Sequence, residues 1–103
     1  MLVVNTETVA GKTVKETLGM VQGSTIRAKH MGKDIMSGFR QLIGGEMVEY
    51  GEMLNEARQI ALDRMIKQAE GINADAVINI RFSTSAIMQG AAEILVYGTA
   101  VKF

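Results

Sequence analysis

One histidine, no cysteine and eight methionines set the metal chemistry open to this 103-residue chain. Soft metals are held by thiolates, or by methionine and histidine placed close together. The lack of cysteine removes thiolate ligation, disulfides, iron–sulfur clusters and thiol catalysis at once. The methionines show no M-x-M or M-x-x-M spacing, and adaptable filling of core and interface accounts for them. His30, beside Met31, opens a helical segment, where a lone histidine serves as a capping or surface residue before it serves as a ligand. Glu46, Glu49 and Glu52 form an acidic cluster that complements the dipole at the start of a helix. Copies of His30 or of these three acids gathered around an oligomer axis would make a metal site that no single chain contains.

Catalytic constellations are harder to build. A histidine–nucleophile dyad has only His30 to draw on, and no serine stands in a G-x-S-x-G elbow. Neither G-x-x-x-x-G-K-[ST] nor G-x-G-x-x-G occurs. Ser83, Thr84 and Ser85 read as a polar hairpin loop. Glu49 and Glu52 lie at helical spacing, but no sequence feature desolvates either as acid catalysis requires. The expectation is therefore no enzyme and no cofactor. Basic patches interleaved with aromatics, the mark of single-stranded nucleic-acid binding, are absent too.

The elements that position these residues follow from periodicity. Leu2–Val4 is a candidate edge strand. Thr13 to Ala28 reads as extended, with Gly19 and Gly23-Ser24 suggesting a bulge or a tight turn. Lys33 to Ile43 switches to helical spacing, with Ile35, Phe39 and Leu42 on one stripe, and Gly44-Gly45 ends it. A second helix is expected from about Met47 to Glu70, stopped by Gly71 in the left-handed conformation. Ala76, Ile78, Ile80 and Phe82 then alternate with Val77, Asn79, Arg81 and Ser83, predicting a strand whose first set faces the helices. Ser83 to Gly90 reads as a loop, and Glu93 to Phe103 as a last strand. That strand is apolar on both faces, so it is central or covered on both sides. The order β-β-α-α-β-β implies an α+β domain, a small antiparallel sheet packed on two helices.

Two arginines sit awkwardly in the second helix. Its apolar residues spread over well more than half the circumference, whereas a helix on one sheet needs an arc of only about 100° or somewhat more. Arg58 falls inside that arc, among Leu54, Ala61, Leu62 and Met65, and Arg64 lies nearer its edge. Such a guanidinium packs its stem across apolar surface with its head in water, meets a group from a neighbouring subunit, or binds a ligand anion. The width of the arc favours assembly. Leu54 and Arg58 on the helix and Tyr97 on the doubly apolar last strand are the interface candidates.

Eleven acidic residues balance eleven basic ones, so no global field recruits nucleic acid or anionic membrane. No apolar run reaches the roughly 18–20 residues of a membrane span, and the first residues lack the pattern of a signal peptide. A cytoplasmic location is the expectation.

The stretches IGGEMVEYGEMLNEARQIALDRM, NADAVINIRF and YGTAVKF together resemble the YbjQ-like family of small bacterial proteins over nearly the whole chain. The resemblance implies a single dodecin-like domain over residues 1–103, a subunit assembled into a pentameric ring, and no established biochemical activity. The family also carries a heavy-metal-binding label. Asn73 and Asn79 stand where the family more usually has glycine. The expected function is a non-enzymatic homo-oligomeric ring that acts as a scaffold or takes a small ligand between subunits. The alternative is a metal-binding or metal-storage assembly that uses symmetry-repeated His30, Glu46, Glu49 or Glu52.

Overall fold

A computed structural model describes residues 1–28, 42–43 and 46–103, with side chains at 1–28 and from 51 onward. His30, Gly44-Gly45 and most of the expected first helix, Lys33 to Gln41, lie outside the described residues. The described strands are β1 (Leu2–Val3), β2 (Glu16–Ala28), β3 (Leu42–Ile43), β4 (Glu46–Met47), β5 (Ala76–Met88) and β6 (Ala91–Lys102). One helix, α1 (Val48–Gly71), is present among the described residues. Leu42 and Ile43, expected to close a helix, instead pair as a short strand with β4.

The main sheet has the order β1-β5-β6-β2. Strand β6 is central, as its two apolar faces require. β2 and β5 flank it antiparallel, whereas β1 runs parallel to β5. The sheet is therefore mixed rather than antiparallel throughout. A two-residue strand carries no signal of its direction, so the sequence had nothing from which to read that pairing. Gly19, with φ of 115°, sits at a register shift in β2 and supplies the expected bulge. Gly23 does something else. The strand runs straight through it, and a Cβ there would collide with backbone atoms of Ala61 and Met65. Glycine lets helix and strand come into backbone contact.

α1 lies mainly over β2 and, to a lesser extent, β6. Met53, Ala57, Ala61, Met65 and Ala69 recur every fourth residue and form its buried row. The last four of them pack on Val21, Val77, Ile94, Val96 and Ala100 of the sheet. The alanines suit this close approach because they bring no bulk to the line of contact. On the other sheet face a smaller cluster joins Ala76, Ile78 and Val101 to Val4, Val9 and Phe103. The helix stop differs in one residue from the expected one. Asn73, not Gly71, takes the left-handed conformation with φ of 60°. The N–H of Asn73 bonds the Glu70 carbonyl at 3.1 Å, and that of Ala74 bonds the Ala69 carbonyl at 3.1 Å. These two bonds satisfy the last helical carbonyls.

β5 corrects the predicted register. Val77 packs in the core under α1, while Ile78 belongs to the cluster on the far face. Ile80 returns to the helix side. Asn79, with φ of 53°, lies in a register shift between Ile78 and Arg81. The extra residue reverses the alternation, so a strict period of two holds only on each side of it. The expected loop from Ser83 is strand as far as Met88, paired with β6 from Leu95 to Ala91, and the chain turns at Gln89-Gly90.

Candidate functional site

The surplus apolar arc of α1 resolves into a second row. Leu54, Arg58, Leu62 and Ile66 are also spaced by four, beside the buried row. Leu54, Leu62 and Ile66 are half-buried at the margin of the core, and Arg58 is exposed among them. The Arg58 guanidinium donates to Asn55 Oδ1 at 2.6 Å. Among the described residues its partner is thus one turn back on its own helix. Asn55 lies three residues before Arg58, a spacing that brings the two side chains together on a helix. An exposed bond of this kind holds the head in place without burying it, so the row stays open to a neighbour.

The other flank of α1 answers for Arg64. Its Nη1 donates to the Ser24 carbonyl at 2.7 Å, and Gln68 Oε1 accepts the Gln22 backbone N–H at 2.6 Å. Both backbone groups belong to β2, the last strand of the sheet. Arg27 of the same strand pairs with Glu56 at 3.0 Å. These side chains close a sheet edge.

Tyr97 lies elsewhere. It sits in register between Gln22 and Arg81, and the neighbours of Gln22 in β2, Val21 and Gly23, are buried toward α1. Tyr97 therefore faces away from the helix, 37% exposed, with Met20 and Ile26 on the same side. The three interface candidates do not form one patch: Leu54 and Arg58 belong to the helical layer, Tyr97 to the rear of the sheet. Apolarity on both faces of β6 told that the strand is central, not which face each residue takes.

The metal candidates do not assemble within one chain's described residues. No three of histidine, cysteine, aspartate or glutamate come together there. Glu52 is exposed on α1. Glu46 lies in β4 and Glu49 at the start of α1, with their side chains, like His30 as a whole, outside the described part. With no thiolate and a single imidazole per chain, the donor set does not fit a soft metal in one subunit.

One feature had no sequence signal. An open cleft of about 670 Å³ lies between residues 3–6 and residues 80–82. It forms where β1 ends while β5 runs on past the Asn79 bulge. Arg81 is among its lining residues and donates from Nη1 to the carbonyls of Asn5 at 3.0 Å and Ile80 at 2.8 Å. No helix of the described residues is long and apolar enough to cross a membrane.

A family model described as "Putative heavy-metal-binding", YbjQ_1, matches residues 1–103. A UPF0145 protein of Methanosarcina acetivorans is 61% identical over 102 residues, covering 99% of this chain and 96% of that protein. Another from Alkaliphilus metalliredigens is 59% identical over 103 residues, covering 100% and 99%. The first of these sources is archaeal, so the relatives are not confined to bacteria. A crystal structure from Pediococcus pentosaceus, of a protein of unknown function in the DUF74 family, superposes with a TM-score of 0.61. It covers 100% of this chain and 97% of its own at 19% identity, a likeness of fold alone.

Proposed function

Because this chain belongs to the YbjQ family, we propose that it works as a non-enzymatic, homo-oligomeric ring, a scaffold or a small-ligand binder whose site forms between subunits. The observation that carries the reading is the second row of α1. Leu54, Leu62 and Ile66 stay half-exposed around an exposed Arg58, an arrangement that matches the apolar-plus-arginine make-up of subunit contacts. A pentamer and a cytoplasmic location are parts of the same proposal.

The test is native mass spectrometry of wild type and Arg58→Ala, with melting measured across protein concentrations. The reading expects a closed oligomer, a shift of Arg58→Ala toward smaller species, and a steeper dependence of its melting temperature on concentration. A wild-type chain that stays monomeric at every concentration overturns it.

The family's description supports a second reading, a metal assembly. Its donors would be symmetry-repeated His30, or the carboxylates Glu46, Glu49 and Glu52, and carboxylates suit harder ions better than soft ones. Elemental analysis of the same preparations separates the two. Metal near one equivalent per ring, lost in His30→Ala or in Glu→Gln variants, favours this reading. A metal-free ring retaining an organic molecule favours the first.

A further inference from the structure

Arg81 ties the segment after β1 to β5 with only one of its nitrogens. Nη1 donates to the carbonyls of Asn5 and Ile80, which uses both of its hydrogens. A guanidinium carries five N–H donors in a rigid planar fork. The other three, on Nε and Nη2, meet no acceptor among the described residues, and no carboxylate pairs with this arginine there. The residue is exposed, so water satisfies those donors in the isolated chain. Clamping the segment needs Nη1 alone and leaves the second edge of the fork without a task.

The same arginine lines the cleft between residues 3–6 and 80–82, and among the described residues it is the one charged side chain there. The apolar walls are Val3, Val4, Ile80 and Phe82, and Phe82 is 45% exposed. A volume of about 670 Å³ falls within the range of small-molecule sites, about 300–1,000 Å³. Bulges re-aim side chains beside functional sites, and the register shift at Asn79 comes immediately before Arg81. We propose that this cleft binds a small organic carboxylate with an apolar body. Its two oxygens accept from Nε and Nη2 of Arg81, and its chain or ring covers Val4, Ile80 and Phe82.

Two observations select this class. The remaining edge of the fork presents parallel N–H groups at carboxylate spacing, and the two backbone bonds to Nη1 already hold the guanidinium in one place. A ligand therefore meets an ordered head and loses less entropy on binding. The second observation is the walls. Inorganic phosphate satisfies the fork but leaves four apolar side chains in water, whereas a neutral apolar molecule covers them and leaves the cation without a counter-charge. Only a molecule with both parts answers both. The site is complete within one chain, so it lies beyond the reading of a site between subunits and does not rest on the ring.

The test titrates hexanoate into the full chain and follows the backbone amides of residues 3–6 and 80–82 by NMR, with hexanamide, acetate and inorganic phosphate as comparisons. Hexanoate is expected to shift these amides and to saturate. Each of the other three is expected to bind at least about tenfold more weakly, by the usual worth of a charge-assisted hydrogen bond or of a covered apolar chain. Arg81→Gln is expected to weaken hexanoate by a similar factor. That change also removes the clamp on residues 3–6, so Phe82→Ala, at an exposed position, is the second variant. It is expected to weaken hexanoate severalfold and to leave acetate unchanged. No saturable shift with hexanoate overturns the proposal, as does Phe82→Ala binding it like wild type. Hexanamide, acetate or phosphate binding as tightly as hexanoate overturns it too. Arg58→Ala is expected to bind hexanoate as wild type does, whatever becomes of its assembly, so the ring reading and this one fail separately. Loss of hexanoate binding in Arg58→Ala overturns a site complete within one chain.

Discussion

Asn73 and Asn79 hold the two positive-φ positions occupied by residues other than glycine among the described residues, at 60° and 53°. The left-handed conformation costs an ordinary L-residue about 1–2 kcal/mol, and asparagine tolerates it better than most. Asparagine at these two positions thus keeps the backbone that each demands, a helix stop at one and a bulge at the other. Asn73→Gly and Asn79→Gly are expected to fold with stability close to wild type. Asn73→Ala and Asn79→Ala should each lose about 1 kcal/mol in urea denaturation, and alanine variants as stable as wild type would remove the strain argument. Gly23 is constrained by space instead. Its missing Cβ admits the backbone of α1 at Ala61 and Met65, and backbone moves less readily than a side chain end. Gly23→Ala should therefore cost about 1–3 kcal/mol by overpacking, read in the same denaturation series. Glycine counts in the sequence marked a break in an extended stretch but not this cause, because close approach depends on what lies across from the strand.

At the scale of elements, α1 does three jobs on three sides. One row of alanines and methionines fills the core, the Arg64 and Gln68 flank closes the β2 edge, and the Leu54–Ile66 row is left half-open. The width of the apolar arc was legible in the sequence, since helical periodicity depends only on local spacing. The purpose of Arg64 was not, because its partner is a backbone carbonyl forty positions away in the chain. Removing the two caps, Arg64→Ala and Gln68→Ala, should cost roughly 0.5–1.5 kcal/mol each by the usual worth of a hydrogen bond. It should also speed amide exchange at Gln22, and unchanged exchange there would mean that water replaces the caps without loss. The strands divide in the same way. The central place of β6 followed from its two apolar faces. The register of β5 failed at a single bulge, and its outer half read as a loop. Small polar residues give no strand signal of their own, and the ladder to β6 holds them extended. The metal and interface candidates could be found by residue type, but their mutual placement, with Tyr97 behind the sheet and Arg58 in the helical layer, is a property of the layers.

At the scale of the whole molecule, the described residues leave several large apolar side chains exposed. Met20, Ile26, Phe82, Ile87 and Met88 are all largely exposed, and with no net charge nothing in the overall field keeps copies apart. On the proposed function, the second row of α1 meets another copy of the chain. On the same proposal a small-ligand or metal site belongs to the assembly, and single-chain variants at scattered donors should matter only through it. The most direct measurement is the mass of the native particle at micromolar concentration in a volatile buffer of physiological ionic strength. A closed oligomer of five chains that loses subunits in Arg58→Ala is the predicted result. A monomer that persists in wild type as the concentration is raised a hundredfold contradicts the account.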